Sequence, residues 1–263
     1  MERGQEMIQA TTTDYRLLAG RGGTDWVHTD PWRVLRMQSE FVEGFGTLAE
    51  LGPAVTVFGS ARTRPETPEY AAGVELGRRI AEAGFAVITG GGPGVMEAAN
   101  KGATEAGGVS VGLGIELPFE TGFNDWVNLG IYFRYFFVRK VMFLKYAAGV
   151  IALPGGVGTM DELFEVVTLV QTGKLSDFPI LLYGTDYWLG ILGWMRDTML
   201  AEHYISAGDL DLFQLTDDLD EIVAAVTESP RARILAGTAE ASTPGRPVPG
   251  ARTSVVDEEG QGT

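Results

Sequence analysis

The chain has no cysteine, which excludes disulfides, thiolate nucleophiles and cysteine-ligated metal. Histidine is nearly as scarce, with only His28 and His203. A histidine-ligated metal centre or a Ser-His-Asp triad has too little to draw on, and both residues read as ordinary surface side chains. Positive charge is also short. With 20 Lys and Arg against 35 Asp and Glu the formal charge is -15, the wrong sign for gripping a nucleic-acid backbone. A small anion needs only a few backbone amides and a local cation, so that class of ligand stays open. No apolar run reaches the roughly 18 residues that span a bilayer. The opening stretch MERGQEMIQATTTDYRLLAGRGG lacks the apolar core of a signal peptide. The expectation is a cytoplasmic protein that binds neither membrane nor nucleic-acid polymer.

Glycine, by contrast, is plentiful: 36 residues with no repeat period, gathered at the ends of short apolar runs. From Pro53 onward those runs alternate with helical stretches. AVTVFGS reads as a strand and PEYAAGVELGRRIAEAG as a helix stopped by Gly84. FAVITG, VSVGLGI, LGIYF, GVIALPGG, PILLYG and LFQLT supply further strands, with helices between them. Strands apolar on both faces belong in a parallel sheet covered on both sides. The fold class expected is α/β, a doubly wound, mostly parallel Rossmann-like sheet with helices on both faces. Residues 1–28 read as a loose polar segment, 29–228 as the folded domain, and 229–263, rich in Pro, Gly, Ser and Thr, as a disordered tail. Asp30-Pro31 suggests a helix start, with Asp as N-cap and Pro at the first helical position, running to about Leu51.

Ligands of such sheets sit beyond the carboxyl ends of the strands, where strand order reverses. Three glycine-rich ends are candidates: FGSAR (Phe58–Arg62), TGGGPGVMEAAN (Thr89–Asn100) and LPGGVGTMDE (Leu153–Glu162). None is a dinucleotide fingerprint, since GSARTRP has one glycine and GGPGVM and GGVGTM lack the third. Nor is there a Walker loop, because Gly173-Lys174 is followed by Leu175. In LPGGVGTMDELFE, Thr159 and Glu162 have the spacing of a capping box. The three glycines exceed what a cap needs and expose amides at a helix start, a site for an anion. A carboxylate beside it suits a ribose just beyond a phosphate. Spacing leaves both readings open.

RYFFVRKVMF places Arg134, Arg139 and Lys140 among aromatics. The plain reading makes Phe136, Phe137 and Phe143 core and sends the cations to solvent. Arg139 is the stronger candidate for an inward, ligand-facing cation. Glu97, opening the helix after GGGPGVM, suits the helix dipole, and Glu116 and Glu120 read as loop acids.

GGGPGVMEAAN, FFVRKVMF and LPGGVGTMDELFE, in this order, resemble the LOG ("Lonely Guy") family of cytokinin riboside 5'-monophosphate phosphoribohydrolases, long mislabelled as lysine decarboxylases. The likeness spans about Pro53 to Ala225 and is strongest to the longer bacterial members. It implies hydrolysis of the N-glycosidic bond of a nucleoside 5'-monophosphate, AMP or N6-modified AMP, to free base and ribose 5-phosphate, with no cofactor or metal. The resemblance makes Glu162 the catalytic carboxylate and Arg139 its partner, with Lys140 adjacent. Gly155, Gly156, Gly158 and Thr159 would hold the 5'-phosphate, with Val157, Met160 and Asp161 from the same motif. Gly59, Ser60, Gly91, Gly92 and Met96 would contribute from the converging loops. Thr168 and Glu120 match ligand-contacting positions of plant members. A homodimer or larger homo-oligomer is also implied.

Two rivals stand beside this. A pyridoxal-phosphate decarboxylase needs a Schiff-base lysine, and Lys101, Lys140, Lys145 and Lys174 lie in no context that suggests one. A non-catalytic nucleotide-binding or molybdenum-cofactor carrier protein resembles the same glycine-rich fold. The Arg139 and Glu162 pair favours the enzyme, since a carrier has no need of a carboxylate near the sugar.

Overall fold

The computed structural model describes residues 12–18, 25–117 and 122–241. Helices α1 (Thr13–Leu18) and α2 (Asp25–Leu48) precede an alternating β/α chain. The strands are β1 (Ala54–Phe58), β2 (Ala86–Thr89), β3 (Ser110–Ile115), β4 (Leu129–Phe133), β5 (Ala147–Ala152), β6 (Ile180–Leu182) and β7 (Phe213–Leu215). After β1 comes α3 (Pro68–Glu82), after β2 α4 (Val95–Glu105), after β4 α5 (Phe136–Lys145), and after β5 α6 (Val157–Gln171). Helix α7 (Thr185–Trp194) follows β6 and runs on as a π-helical stretch, Met195–Leu200. The short α8 (Ala207–Leu210) precedes β7, and α9 (Leu219–Thr227) and α10 (Pro230–Ala241) close the described chain.

All seven strands pair in parallel, in the order β4-β3-β2-β1-β5-β6-β7. The strands expected from the apolar runs are all present, and the doubly wound α/β class is the observed one. Each residue of β1 is buried, as a central parallel strand requires. Val55 and Val57 face a core with Leu76, Ile80, Val95 and Ile222 from α3, α4 and α9. Ala54 and Phe58 face the opposite core, with Met142, Phe143, Leu163 and Trp188 from α5, α6 and α7. Thr56 is tolerated there because its hydroxyl donates to the Phe143 carbonyl at 2.6 Å. Strand order reverses between β1 and β5, which opens the crevice that holds the site.

Two sequence expectations need correction. The N-terminal helix starts at Asp25, so Pro31 lies inside it and not at its first position. Asp-Pro suits a helix start locally, but proline removes only one intrahelical bond, and the helix continues through it. Part of the stretch after residue 228 is helical, from Pro230 to Ala241. Ser229 and Ala232 are buried, and Arg231 donates to the carbonyls of Ala147 at 2.7 Å and Leu144 at 3.1 Å. The composition of 229–263 is set by its later residues, and it hid the apolar and arginine anchors of α10. Among the described residues no helix is long and apolar enough to cross a membrane.

Candidate active site

The ends of β1, β2 and β5 are tied together by Ser60. Its amide donates to the Pro154 carbonyl at 3.1 Å, and its carbonyl accepts from the Val95 amide at 3.0 Å. Its hydroxyl accepts from the Arg62 amide at 3.0 Å, closing the turn. The three glycine-rich ends therefore converge as fold logic expects. A buried polar network supports the second of them. Thr89 donates to Asn100 Oδ1 at 2.6 Å and accepts from the Gly91 amide at 2.9 Å, while Asn124 donates to Gly92 O and Asn100 Oδ1. Gly91 has φ +73°, and a Cβ there would strike Phe123 at 2.5 Å, so only glycine suits the position.

Helix α6 begins with Gly156 as its N-cap, without a side-chain cap. Thr159 is thus the third helical residue and Glu162 the sixth. Glu162 cannot reach back as a capping box would, and it stands in the second turn, not the first. The start of α6, from Gly156 to Thr159, lines the cavity, and no side-chain cap occupies its open amides. A Cβ on Gly155 would collide with the buried side chain of Thr159, which sets how closely the loop folds onto its helix.

The cavity at the switch point has a volume of about 630 Å3. Gly59, Ser60, Gly92, Met96, Arg139, Gly156, Val157, Gly158, Thr159, Asp161 and Glu162 line it. Arg62, Gly90, Ile115, Leu117, Tyr132, Phe136 and Phe143 are also part of the wall. Glu162 is buried at 7% exposure, with Oε1 3.7 Å from Arg139 Nη2 and Oε2 3.8 Å from Lys140 Nζ. Burial pushes its pKa up to about 7, against the pull of Arg139 and Lys140 and with help from Asp161 and Glu165. Lys140 reaches Glu165 at 2.6 Å and Asp161 at 3.0 Å. Burial opposes its charge, but the bonds to those two carboxylates win and its pKa is raised. The Arg139 guanidinium lies over the rings of Phe143, at 5.0 Å, and Phe136, at 5.5 Å. Arg139 and Lys140 therefore point inward, while Phe136 and Phe137 are 38% and 44% exposed. Of the three phenylalanines expected in the core, only Phe143 is there. Desolvated pairing with carboxylates on α6 outweighs the local amphipathic pattern.

Several expected residues do not line this cavity. Gly91 packs behind its loop on Phe123, and Gly155 faces the outer side, where its carbonyl accepts from the Tyr187 hydroxyl. Lys140 braces the carboxylates from behind. Met160 and Thr168 sit on a shallower groove along α6 with Phe164 and Leu169, and the Thr168 hydroxyl is spent on the Phe164 carbonyl of its own helix. Glu120 lies outside the described residues. Glu97 is taken by the Tyr70 hydroxyl at 3.1 Å, and Glu116 by the amide of Thr13 at 2.9 Å. The sequence reading missed the aromatic wall. Phe136, Arg139 and Phe143 share one helical face by their spacing, a signal available before the fold was known. Tyr132, Ile115 and Leu117 come from the ends of β3 and β4 and gave no local sign.

Fold and site together define a Rossmann-like α/β protein whose switch-point cavity joins an amide-lined helix start to a buried, cation-flanked carboxylate. The protein family described as "Possible lysine decarboxylase" matches residues 96–226. The rice (Oryza sativa subsp. japonica) protein named "Probable cytokinin riboside 5'-monophosphate phosphoribohydrolase LOG4" is 30% identical over 191 residues, which is 70% of this chain and 81% of the relative. Among solved structures, the Moco carrier protein of Chlamydomonas reinhardtii is 29% identical, with TM-score 0.48 over 67% of this chain and 96% of that one. A structural-genomics X-ray structure of TM1055 is 24% identical, with TM-score 0.52 over 67% and 99%, and shares the fold. The chain belongs to the cytokinin riboside 5'-monophosphate phosphoribohydrolase (LOG) family.

Proposed function

We propose that this chain hydrolyses the N-glycosidic bond of a nucleoside 5'-monophosphate, AMP or an N6-modified AMP, giving free base and ribose 5-phosphate. The observation that carries the reading is Glu162, buried between Arg139 and Lys140 within the same cavity as the open amides of α6. A phosphate held by the amides of Gly156, Val157, Gly158 and Thr159 puts the attached ribose beside that carboxylate. Breaking the bond between the anomeric carbon and the base nitrogen builds positive charge on the sugar ring, as in glycoside hydrolysis. The Glu162 carboxylate stabilises that charge and takes a proton from the water that adds to the anomeric carbon. The departing nitrogen gains a proton, so water is divided between the two products. Arg139 cannot serve as the proton donor, since guanidinium does not deprotonate in proteins; it orients Glu162 and the bound phosphosugar. The aromatic and aliphatic wall of Phe136, Phe143, Tyr132, Leu117 and Met96 offers the base an apolar surface.

The test is chromatographic detection of free base from AMP, CMP, GMP, dAMP and N6-isopentenyl-AMP, with Glu162→Gln as control. Base release lost in the control supports the hydrolase and ranks its bases. Nucleotide binding with no release from any of them overturns it.

A further inference from the structure

Helix α5, which carries Arg139 and Lys140, has no cap of its own. Its N-cap residue Tyr135 makes no side-chain capping bond, and its first turn contains no acid. The amides that a helix start leaves open are met instead by carboxylates from far away in sequence. Glu40 in α2, 5% exposed, accepts from the Arg134 amide at 3.1 Å through Oε2 and 3.3 Å through Oε1, and also from the Tyr135 amide. Asp14 in α1 accepts from the Phe136 amide at 3.2 Å. Helix α1 is itself anchored, since the Thr13 amide donates to Glu116 just past β3. Helix α2 lies close along α5, so that a Cβ on Gly44 would meet Met142 Sδ at 2.9 Å.

These contacts are placed to matter for the site. Phe136, whose amide Asp14 holds, is itself a wall of the cavity and lies under the Arg139 guanidinium. Arg139 is one turn further along the same helix. Carboxylates are also a costly choice for this task. Burial raises the pKa of Glu40 against its two amide bonds and the nearby charge of Arg134, with Glu43 adding to the rise. Burial likewise raises that of Asp14, whose acidic neighbour is Glu116. Buried carboxylates persist where their bonds hold something in place. Both residues lie before the stretch matched by the family, 96–226, so that stretch does not contain the caps of its own cationic helix.

We propose that Glu40 and Asp14 are positioning residues, which fix the start of α5 from outside and thereby set Arg139 and Lys140 against Glu162. Their catalytic meaning rests on the hydrolase reading above; their effect on the geometry does not. The test therefore uses two readouts on the full chain: the carbon-13 carboxyl titration of Glu162, identified by its loss in Glu162→Gln, and kcat and KM on AMP. Arg139 and Lys140 from α5, and Asp161 and Glu165 on α6, are the charges that face Glu162. In Asp14→Ala and Glu40→Ala, Arg139 draws away, and the Glu162 titration rises by roughly half a unit. The same displacement lowers kcat roughly 10-fold, with KM changed far less. Asp14→Asn, which keeps an acceptor oxygen, restores most of both. Cooperative melting confirms that each variant is folded, and if Glu40→Ala is not, the partly exposed Asp14 decides alone. An unmoved Glu162 titration in folded Asp14→Ala overturns the proposal even if wild type releases base. A shifted titration upholds it even if wild type releases none, in which case only the hydrolase reading falls.

Discussion

Glu162 keeps a pKa of about 7 even though two cations stand within 4 Å, because burial outweighs them. If its carboxylate form does the chemistry, base release rises with pH through a limb near 7. Glu162→Gln removes that limb and lowers kcat roughly 1,000-fold, as read from a pH–rate profile. The same shift bears on stability with a definite sign. Between the ordinary value of 4.5 and about 7, folded Glu162 binds a proton that the unfolded chain releases. Stability therefore falls as pH rises through that window. Relative to wild type, Glu162→Gln gains stability from pH 5 to pH 8, by at most about 3 kcal/mol, less what Arg139 and Lys140 lose with their partner. Thermal melts at the two pH values check this, and a variant that loses ground as pH rises shows that the ion pairs outweigh burial. Arg139→Lys is no conservative change here, since lysine lacks the planar guanidinium stacked on Phe136 and Phe143.

At the scale of elements, the glycine loop before α6 is set by contact as much as by freedom. Gly155→Ala drives a methyl into Thr159 and costs about 1–3 kcal/mol, and it raises KM for a monophosphate by moving the amides that follow. Melts and steady-state kinetics together test it. Helix α10 is tied to the sheet by Arg231, which donates to the carbonyls of Leu144, Lys145 and Ala147 and lies over the Phe178 ring at 5.2 Å. Arg231→Ala costs about 1–3 kcal/mol and leaves α10 open to proteolysis while kcat is retained. The elements differ in how far they were legible. Helix α3 announced itself by local chemistry: Thr67 caps it, Pro68 opens it, and Gly84 ends it at φ +84°. Helix α10 did not, because its anchors act across 84 and 87 residues of sequence on carbonyls beside β5. The capping box at Thr159 and Glu162 was a local reading, undone because the helix is capped three residues earlier, at Gly156.

Across the whole molecule, α2 and α5 leave an apolar surface. Trp32, Leu35 and Val42 are 68%, 54% and 72% exposed, and Phe137 and Val141 on α5 are 44% and 39% exposed. We infer a homo-oligomer that covers it. Light scattering after size exclusion gives a mass of two or more chains, and Leu35→Glu with Val42→Glu lowers it; a monomeric wild type contradicts the inference. The amino-acid sequence alone determined the parallel sheet, its strand ends and the chemistry of its glycine loops, because apolar periodicity and turn residues act over a few neighbours. It also marked Arg139 and Glu162 through their motifs. Only the tertiary structure decided that Arg139 and Lys140 turn inward, that Glu162 is buried between them, and that Asp14 and Glu40 cap their helix. Those outcomes depend on desolvation and on contacts between residues up to 122 positions apart, and such contacts leave no local periodicity to read.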